Sequence, residues 1–249
     1  MNFLTLQKTN SMKLHIGDPM GAAIRDFHMT GKADTLIVRS SMFEDDEIPV
    51  ISLFREYDQM PQIEQIALQT ASGSILDVGA GSGCHSIALQ KMGKNATAIE
   101  ISELSVEVMK ERGVDARCIN FYDEEFNEKF DTVLMLMNGT GIAGNINNMP
   151  QFLDRLKTLL NPGGCVLIDS SDLRYLYEDE DGNFEIDLAD DYYGMVDYQM
   201  IYKNIEGEPF DWLYVDFETL AYYAEEAGFE CEFLAEGEHY DYLAKLTLK

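Results

Sequence analysis

Along residues 73–170, short apolar runs alternate with stretches in which apolar positions recur every three or four residues. That rhythm predicts buried parallel strands joined by helices that cover both faces of a sheet. The strands read as Ser74–Val78, Ala96–Ile101, Ala116–Ile119, Asp131–Met137 and Cys165–Asp169. Between them, one helix carries Cys84, Ile87, Ala88 and Met92 on one face and stops at Gly93. A second is capped by Ser102 and stops at Gly113, and a third opens at Pro150 and carries Phe152, Leu153, Leu156, Leu159 and Leu160.

After Ser171 the pattern changes. Residues 171–213 are acidic and tyrosine-rich, and alternation over Met195–Tyr202 predicts antiparallel strands. Glu178-Asp179-Glu180-Asp181-Gly182 reads as a solvated turn. A helix over Phe217–Ala227 and two alternating strands, Phe229–Leu234 and Tyr242–Leu248, complete the series. Before residue 73 the pattern is irregular apart from a helical stretch at Pro61–Thr70. The chain therefore divides into an N-terminal cap segment, 1–72, and an α/β domain, 73–249, in which 171–213 is an insert after the fifth strand.

Composition narrows the class. No apolar run approaches the roughly 20 residues of a membrane helix, and the N-terminus lacks the basic and apolar regions of a signal peptide. Cys84, Cys118, Cys165 and Cys231 are scattered, as small buried hydrophobes in a reducing cytoplasm would be. No Cys-x-x-Cys pair exists and Cys84-His85 has no partner at ligand spacing, so no metal site is expected. With 18 basic and 45 acidic residues the formal charge is −27. Such a field repels phosphate backbones, which argues against nucleic acid as a partner, and favours cationic small molecules. Nothing in the pattern sets an oligomeric state.

The candidate chemistry begins at Asp77-Val78-Gly79-Ala80-Gly81-Ser82-Gly83, where a buried strand turns sharply into a helix. The dinucleotide fingerprint places its third glycine three positions after the second, a place that Cys84 holds here; Gly83 comes one position earlier. Glu100 closes the second strand, where an acid can bind ribose hydroxyls. Leu160-Asn161-Pro162-Gly163-Gly164 turns into the fifth strand. In these three motifs, residues 73–170 resemble the class I S-adenosylmethionine-dependent methyltransferases.

The resemblance implies a Rossmann-like, seven-stranded, mostly parallel sheet with helices on both faces, an antiparallel terminal strand, the N-terminal cap and a β-rich insert after the fifth strand. It implies S-adenosylmethionine as cofactor, with contacts at Asp77, Gly79, Ala80, Gly81, Gly83, Glu100, Ile101, Asn120, Phe121 and Asn138. Asp77 would accept from the cofactor's amino group or brace the turn, and the helix opening near Ser82 would offer unpaired N–H groups to its carboxylate. Asn120 stands where the family often has an acid beside adenine, and Phe121 would add a backbone N–H or a packing surface. Asn138 is followed by Gly139-Thr140 in place of the Asn/Asp-Pro-Pro-aromatic motif of amine-methylating relatives that act on bases or glutamine.

The implied reaction is direct displacement of the methyl group by a small-molecule acceptor. Asp172, Tyr192, Tyr193 and His239 are candidate bases, none backed by a motif. His85 reads as a packing or bracing residue, and Trp212 and Tyr214 as an aromatic wall or as packing beneath the insert. An aminopropyl transferase on the same fold and a non-catalytic nucleotide binder remain alternatives, although the former's Gly-Gly-Gly-Asp-Gly-Gly motif is absent.

Overall fold

The computed structural model describes residues 15–177 and 192–249; the acidic turn at 178–182 lies outside the described residues. The chain opens with β1 (His15–Ile16), α1 (Pro19–Thr30), β2 (Leu36–Arg39), β3 (Asp46–Ile48) and α2 (Gln62–Thr70). The alternating core follows as β4 (Ser74–Val78), α3 (Cys84–Lys91), β5 (Asn95–Glu100), α4 (Glu103–Glu111), β6 (Asp115–Cys118), β7 (Phe130–Met135), α5 (Met149–Thr158) and β8 (Leu160–Ser171). Beyond it lie β9 (Met195–Tyr202), β10 (Ile205–Glu206), β11 (Phe210–Leu213), α6 (Phe217–Glu226), β12 (Phe229–Glu236) and β13 (Asp241–Leu248).

Seven strands form the large sheet in the order β12-β13-β8-β7-β4-β5-β6. From β8 to β6 all pairings are parallel. β13 is antiparallel to both of its neighbours, so β12 runs with the parallel set. The antiparallel strand expected at the end of the series thus sits one place inside the sheet edge, with β12 outside it. The strands read as unbroken apolar runs because both faces are covered. One face packs on Phe152, Leu153 and Leu156 of α5 and Leu220 and Ala224 of α6, the other on Ile63, Ala67 and Leu68 of α2 and Ala88 and Leu89 of α3. Each fully buried large side chain contributes on the order of 1.5–3 kcal/mol.

β8 begins earlier than its apolar run. Phe130 pairs with Leu160 and Thr132 with Cys165, so Asn161-Pro162-Gly163-Gly164 is a bulge inside the strand, where a preceding turn was expected. Gly163 takes a φ of 77°, and a Cβ on Gly164 would meet three carbonyl oxygens within 3.0–3.2 Å.

Residues before β4 are more regular than their pattern suggested. Asp18 caps α1 by accepting from the Gly21 N–H at 2.7 Å, and Pro19 fills the first turn. β2 and β3 join β9, β10 and β1 in a second sheet ordered β1-β10-β9-β2-β3, with β11 also on β9. Ile37 pairs with Ile201. The early segment and the insert are therefore one layer, not two additions. It lies beyond the carboxyl ends of the large sheet's strands: the Ser102 hydroxyl donates to Asp18, and the Thr140 hydroxyl donates to the Leu213 carbonyl at 2.9 Å.

Candidate active site

The strand-to-helix loop after β4 has positive φ at Gly79, Gly81 and Gly83 (67°, 56° and 82°), a region other residues enter only at a cost. A Cβ on Gly81 would meet nothing within 4 Å, so the loop borders open space. Four of its backbone donors are used within the fold. Gly79 and Ala80 donate to the Ile99 carbonyl, Gly83 to that of Ala80, and Gly81 to Glu100 Oε2 at 3.0 Å. These bonds engage the loop before the helix opening and leave the N–H groups of that opening outside them. Ser82 turns inward as well, its hydroxyl donating to the Leu53 carbonyl while Arg112 donates to its own carbonyl.

Glu100 accepts three backbone N–H groups: Gly81 on Oε2, and Ile101 at 2.7 Å and Ser102 at 3.2 Å on Oε1. Burial raises its pKa against these bonds. A carboxylate has about four acceptor sites, so one remains open for a hydroxyl, and a second opens if the long Ser102 bond yields. Beside it Ile101 is 71% exposed, an unusual fraction for a large aliphatic side chain. Asp77 is buried and accepts from the Ser86 hydroxyl at 2.6 Å, which ties α3 to β4. Asn120 is exposed and uses its amide oxygen on the Tyr122 N–H at 2.9 Å. Phe121 is a core ring packed on Phe152 at 5.6 Å, so its ring is no packing surface for a ligand and only its backbone can face one.

At the end of β7, Met137 and Asn138 both have left-handed backbones (φ 67° and 61°). Such a conformation costs on the order of 1–3 kcal/mol at a non-glycine residue. Asp169, at the carboxyl end of β8, accepts from the N–H groups of Met137 and Gly139, each at 3.1 Å. Burial pushes the Asp169 carboxyl up to about 7 despite those bonds. Asn138 Oδ1 accepts from the Ser171 hydroxyl at 3.2 Å, and Met137 is 44% exposed.

Three of the four candidate bases meet in one network. Asp172 accepts from Arg174 Nε at 2.7 Å and from the Tyr193 hydroxyl at 3.0 Å. That hydroxyl also lies 3.0 Å from Asp216 Oδ2, to which Tyr192 donates at 2.6 Å. Burial pushes both tyrosines up, and Asp216 adds to it, so the phenols are hydrogen-bond donors rather than bases at neutral pH. Burial also raises Asp216, but bonds from Tyr192, Thr219 and Tyr193 outweigh it and hold its carboxyl low. His239 is exposed in the turn between β12 and β13 and does not join this network. Trp212 packs on Gly141, where a Cβ would lie 1.9 Å from its ring, and Tyr214 bonds the Tyr198 hydroxyl at 3.0 Å; both pack beneath the insert.

Residues 75–164 match the profile of a family described as a methyltransferase domain. A crystal structure of a Bacteroides fragilis S-adenosylmethionine-dependent methyltransferase, solved with S-adenosyl-L-homocysteine, is 59% identical to this chain. The alignment covers 96% of this chain and 99% of that one, with a TM-score of 0.88. The chain is an S-adenosylmethionine-dependent methyltransferase. Among curated relatives, a Streptomyces cypemycin N-terminal methyltransferase is 30% identical over 40% of this chain and 42% of its own length. A Dictyostelium discoideum mitochondrial ubiquinone biosynthesis O-methyltransferase is 24% identical over 48% of this chain and 42% of its own. The chain spans about two-fifths of both.

The site of this methyltransferase suits S-adenosylmethionine, its cofactor. Open space at Gly81, an anchored acid in Glu100 and an exposed apolar Ile101 supply room, a hydroxyl acceptor and a surface for a flat ring. None of these needs a phosphate or a cation. Among the described residues no group of three or more His, Cys, Asp or Glu is placed to hold a metal ion, and no helix is long and apolar enough to cross a membrane.

Sequence reasoning read His85 as a packing or bracing residue without its partners Arg55 and Glu64, and gave no role to Asp169 and Asp216 of the methyltransferase. Arg55 grips Glu64 through Nη2 and Nε at 2.6–3.0 Å, and His85 Nε2 lies 3.0 Å from the same carboxylate, a buried trio behind the glycine loop. No local spacing joins Arg55 to Glu64 and His85. Asp169 and Asp216 did carry signals: an acid ending a parallel strand, as at Glu100, and an acid three places before Thr219 at a helix start.

Proposed function

We propose that this methyltransferase acts on a small-molecule acceptor held between the carboxyl edge of the large sheet and the second sheet. The observation that carries this reading is the roof over that edge. Thr140 and Ser170, at the ends of β7 and β8, bond Leu213 and Val215, while the Asp172–Tyr193–Asp216–Tyr192 network ties both ends of the insert to it. In this reading 1–72 and 171–213 form the acceptor side and 73–249 contains the methyltransferase domain. The formal charge of −27 opposes a nucleic-acid acceptor. The relatives named for cypemycin and for ubiquinone biosynthesis point to acceptors of different kinds, so neither transfers.

Bound S-adenosylmethionine supplies a methyl group on a sulfonium, already activated for displacement. The chain's part is to place the acceptor, and alignment alone is worth up to roughly 7–11 kcal/mol in well-ordered systems. Glu100 would take a ribose hydroxyl, the glycine loop the methionine end, Ile101 and Asn120 the adenine, and Asn138 the border with the acceptor. The acidic edge favours an acceptor that arrives as a cation, and Asp172 is the carboxylate there that can remove its proton before attack. A labelled-methyl assay on a size-fractionated cell extract tests this: label in the low-mass fraction is expected, and label confined to protein would overturn it.

A further inference from the structure

Asp169 has no place in the mechanism above, yet its surroundings are specialised. Its two carboxylate oxygens each accept one N–H, Oδ2 from Met137 and Oδ1 from Gly139, both at 3.1 Å. Met137 and Asn138, the residue between the donors, are in left-handed conformations that non-glycine residues rarely adopt. The N–H groups on either side of Asn138 converge on one carboxylate, and Asp169 holds both. Carbon contacts close the same turn: a Cβ on Gly139 would lie 2.5 Å from the Met135 side chain. The turn so fixed presents the exposed Met137 side chain and Asn138, whose Oδ1 is itself held by Ser171, at the carboxyl edge of the sheet, where the proposed function places the reacting groups.

We propose that Asp169 is a positioning residue for methyl transfer, its carboxylate locking the left-handed Met137–Asn138 turn that borders the cofactor. The lock depends on both oxygens being acceptors. Protonation turns one into an O–H facing an N–H and opens the turn. Because burial pushes this carboxyl up to about 7, the lock is set above neutral pH and released below it. The titratable groups acting on it are Glu64 from α2 and His85 from α3, with Arg55 on that glutamate, and Tyr242 from β13.

The test needs no acceptor, so its failure is separate from failure of the small-molecule reading. Calorimetry with S-adenosylhomocysteine on the full chain should show wild-type affinity falling severalfold between pH 8 and pH 6. Asp169→Asn, which supplies one acceptor oxygen in place of two, should bind about tenfold more weakly at pH 8 and lose that pH step. Adding Met137→Gly to Asp169→Asn should recover about threefold, because glycine takes a positive φ unaided; a carboxylate that merely fills the core would give no such rescue. Unchanged affinity in Asp169→Asn, or a loss that Met137→Gly leaves untouched, overturns the proposal. Should the variant not fold, hydrogen exchange on the wild type decides. The Met137 and Gly139 amides must be protected well beyond an open loop, and exchange at loop rates refutes the lock.

Discussion

The half of the carboxyl edge that we assign to the cofactor, at β4, β5 and β6, is held mainly through backbone N–H groups of two strand-end loops. The half that we assign to the acceptor, at β7 and β8, is tied to the insert by side chains. Glu100 accepts the backbone N–H groups of Gly81, Ile101 and Ser102. By contrast, the Tyr193 hydroxyl joins Asp172 to Asp216, 21 and 23 residues away, and the Thr140 hydroxyl bonds Leu213, 73 residues away. Local motifs can shape a binding loop for a common ligand. A surface for one particular acceptor is assembled from separate segments, and the two halves should therefore fail differently when disturbed.

The largest effect is expected behind the glycine loop. Arg55→Ala leaves the Glu64 carboxylate buried with only His85 beside it, and removal of one member of a buried pair costs about 3–5 kcal/mol. Thermal melting should fall by roughly 10 °C; a drop of a degree or two would show that the loop does not depend on the trio.

Two buried carboxylates, Glu64 behind the glycine loop and Asp169 at the end of β8, have pKa shifts of opposite direction. Burial raises Glu64, but His85 and Arg55 outweigh it, so its stabilisation is present above its ordinary pKa of 4.5 and is lost in acid as the pH falls through the folded value. Asp169 is pushed up from 3.8 to about 7 by burial, so the folded chain loses stability as pH rises between those values, at most about 1.4 kcal/mol per pH unit. The melting temperature of wild type relative to Asp169→Asn should accordingly decline from pH 5 to pH 7. A difference independent of pH would remove Asp169 from that account.

Glu100→Ala sharpens the contrast at the ligand. It removes a hydroxyl acceptor and the anchor of Gly81 together, so S-adenosylhomocysteine affinity should drop more than tenfold by calorimetry, about 1.4 kcal/mol or more. Tyr193→Phe should do the reverse. Affinity for S-adenosylhomocysteine should stay within about twofold, while methyl transfer into the low-mass fraction falls several-fold, about 1 kcal/mol, since only the link between Asp172 and Asp216 is lost. A cofactor-affinity loss in Tyr193→Phe would show that the halves are not separable.

This contrast also explains what the sequence disclosed. Strand and helix order from Ser74 to Asp169 and from Phe217 to Leu248 was legible because burial on both faces leaves apolar runs, and Gly79, Gly81 and Gly83 were legible because positive φ selects glycine. α1 escaped notice although Asp18-Pro19 announces it, because its apolar stripe faces α4 and the second sheet and not the alternating core. For Phe121 only the ring alternative failed, because an aromatic beside a ligand loop and an aromatic beneath it read alike. Asp169 and Asp216 went unused, since an acid at an element's end says nothing of which distant N–H or hydroxyl it will receive.

β13 carries a consequence of another kind. It is the strand latest in the chain, yet it fills a gap between β8 and β12 and hydrogen-bonds along both. Without β13, β8 and β12 would stand one strand apart with facing edges unpaired, unable to pair with each other in the native arrangement. Residues 241–248 thus cover two edges at once, each of the kind that invites pairing with a neighbouring chain. Disturbing this one strand would open both together, and the product would be prone to aggregate.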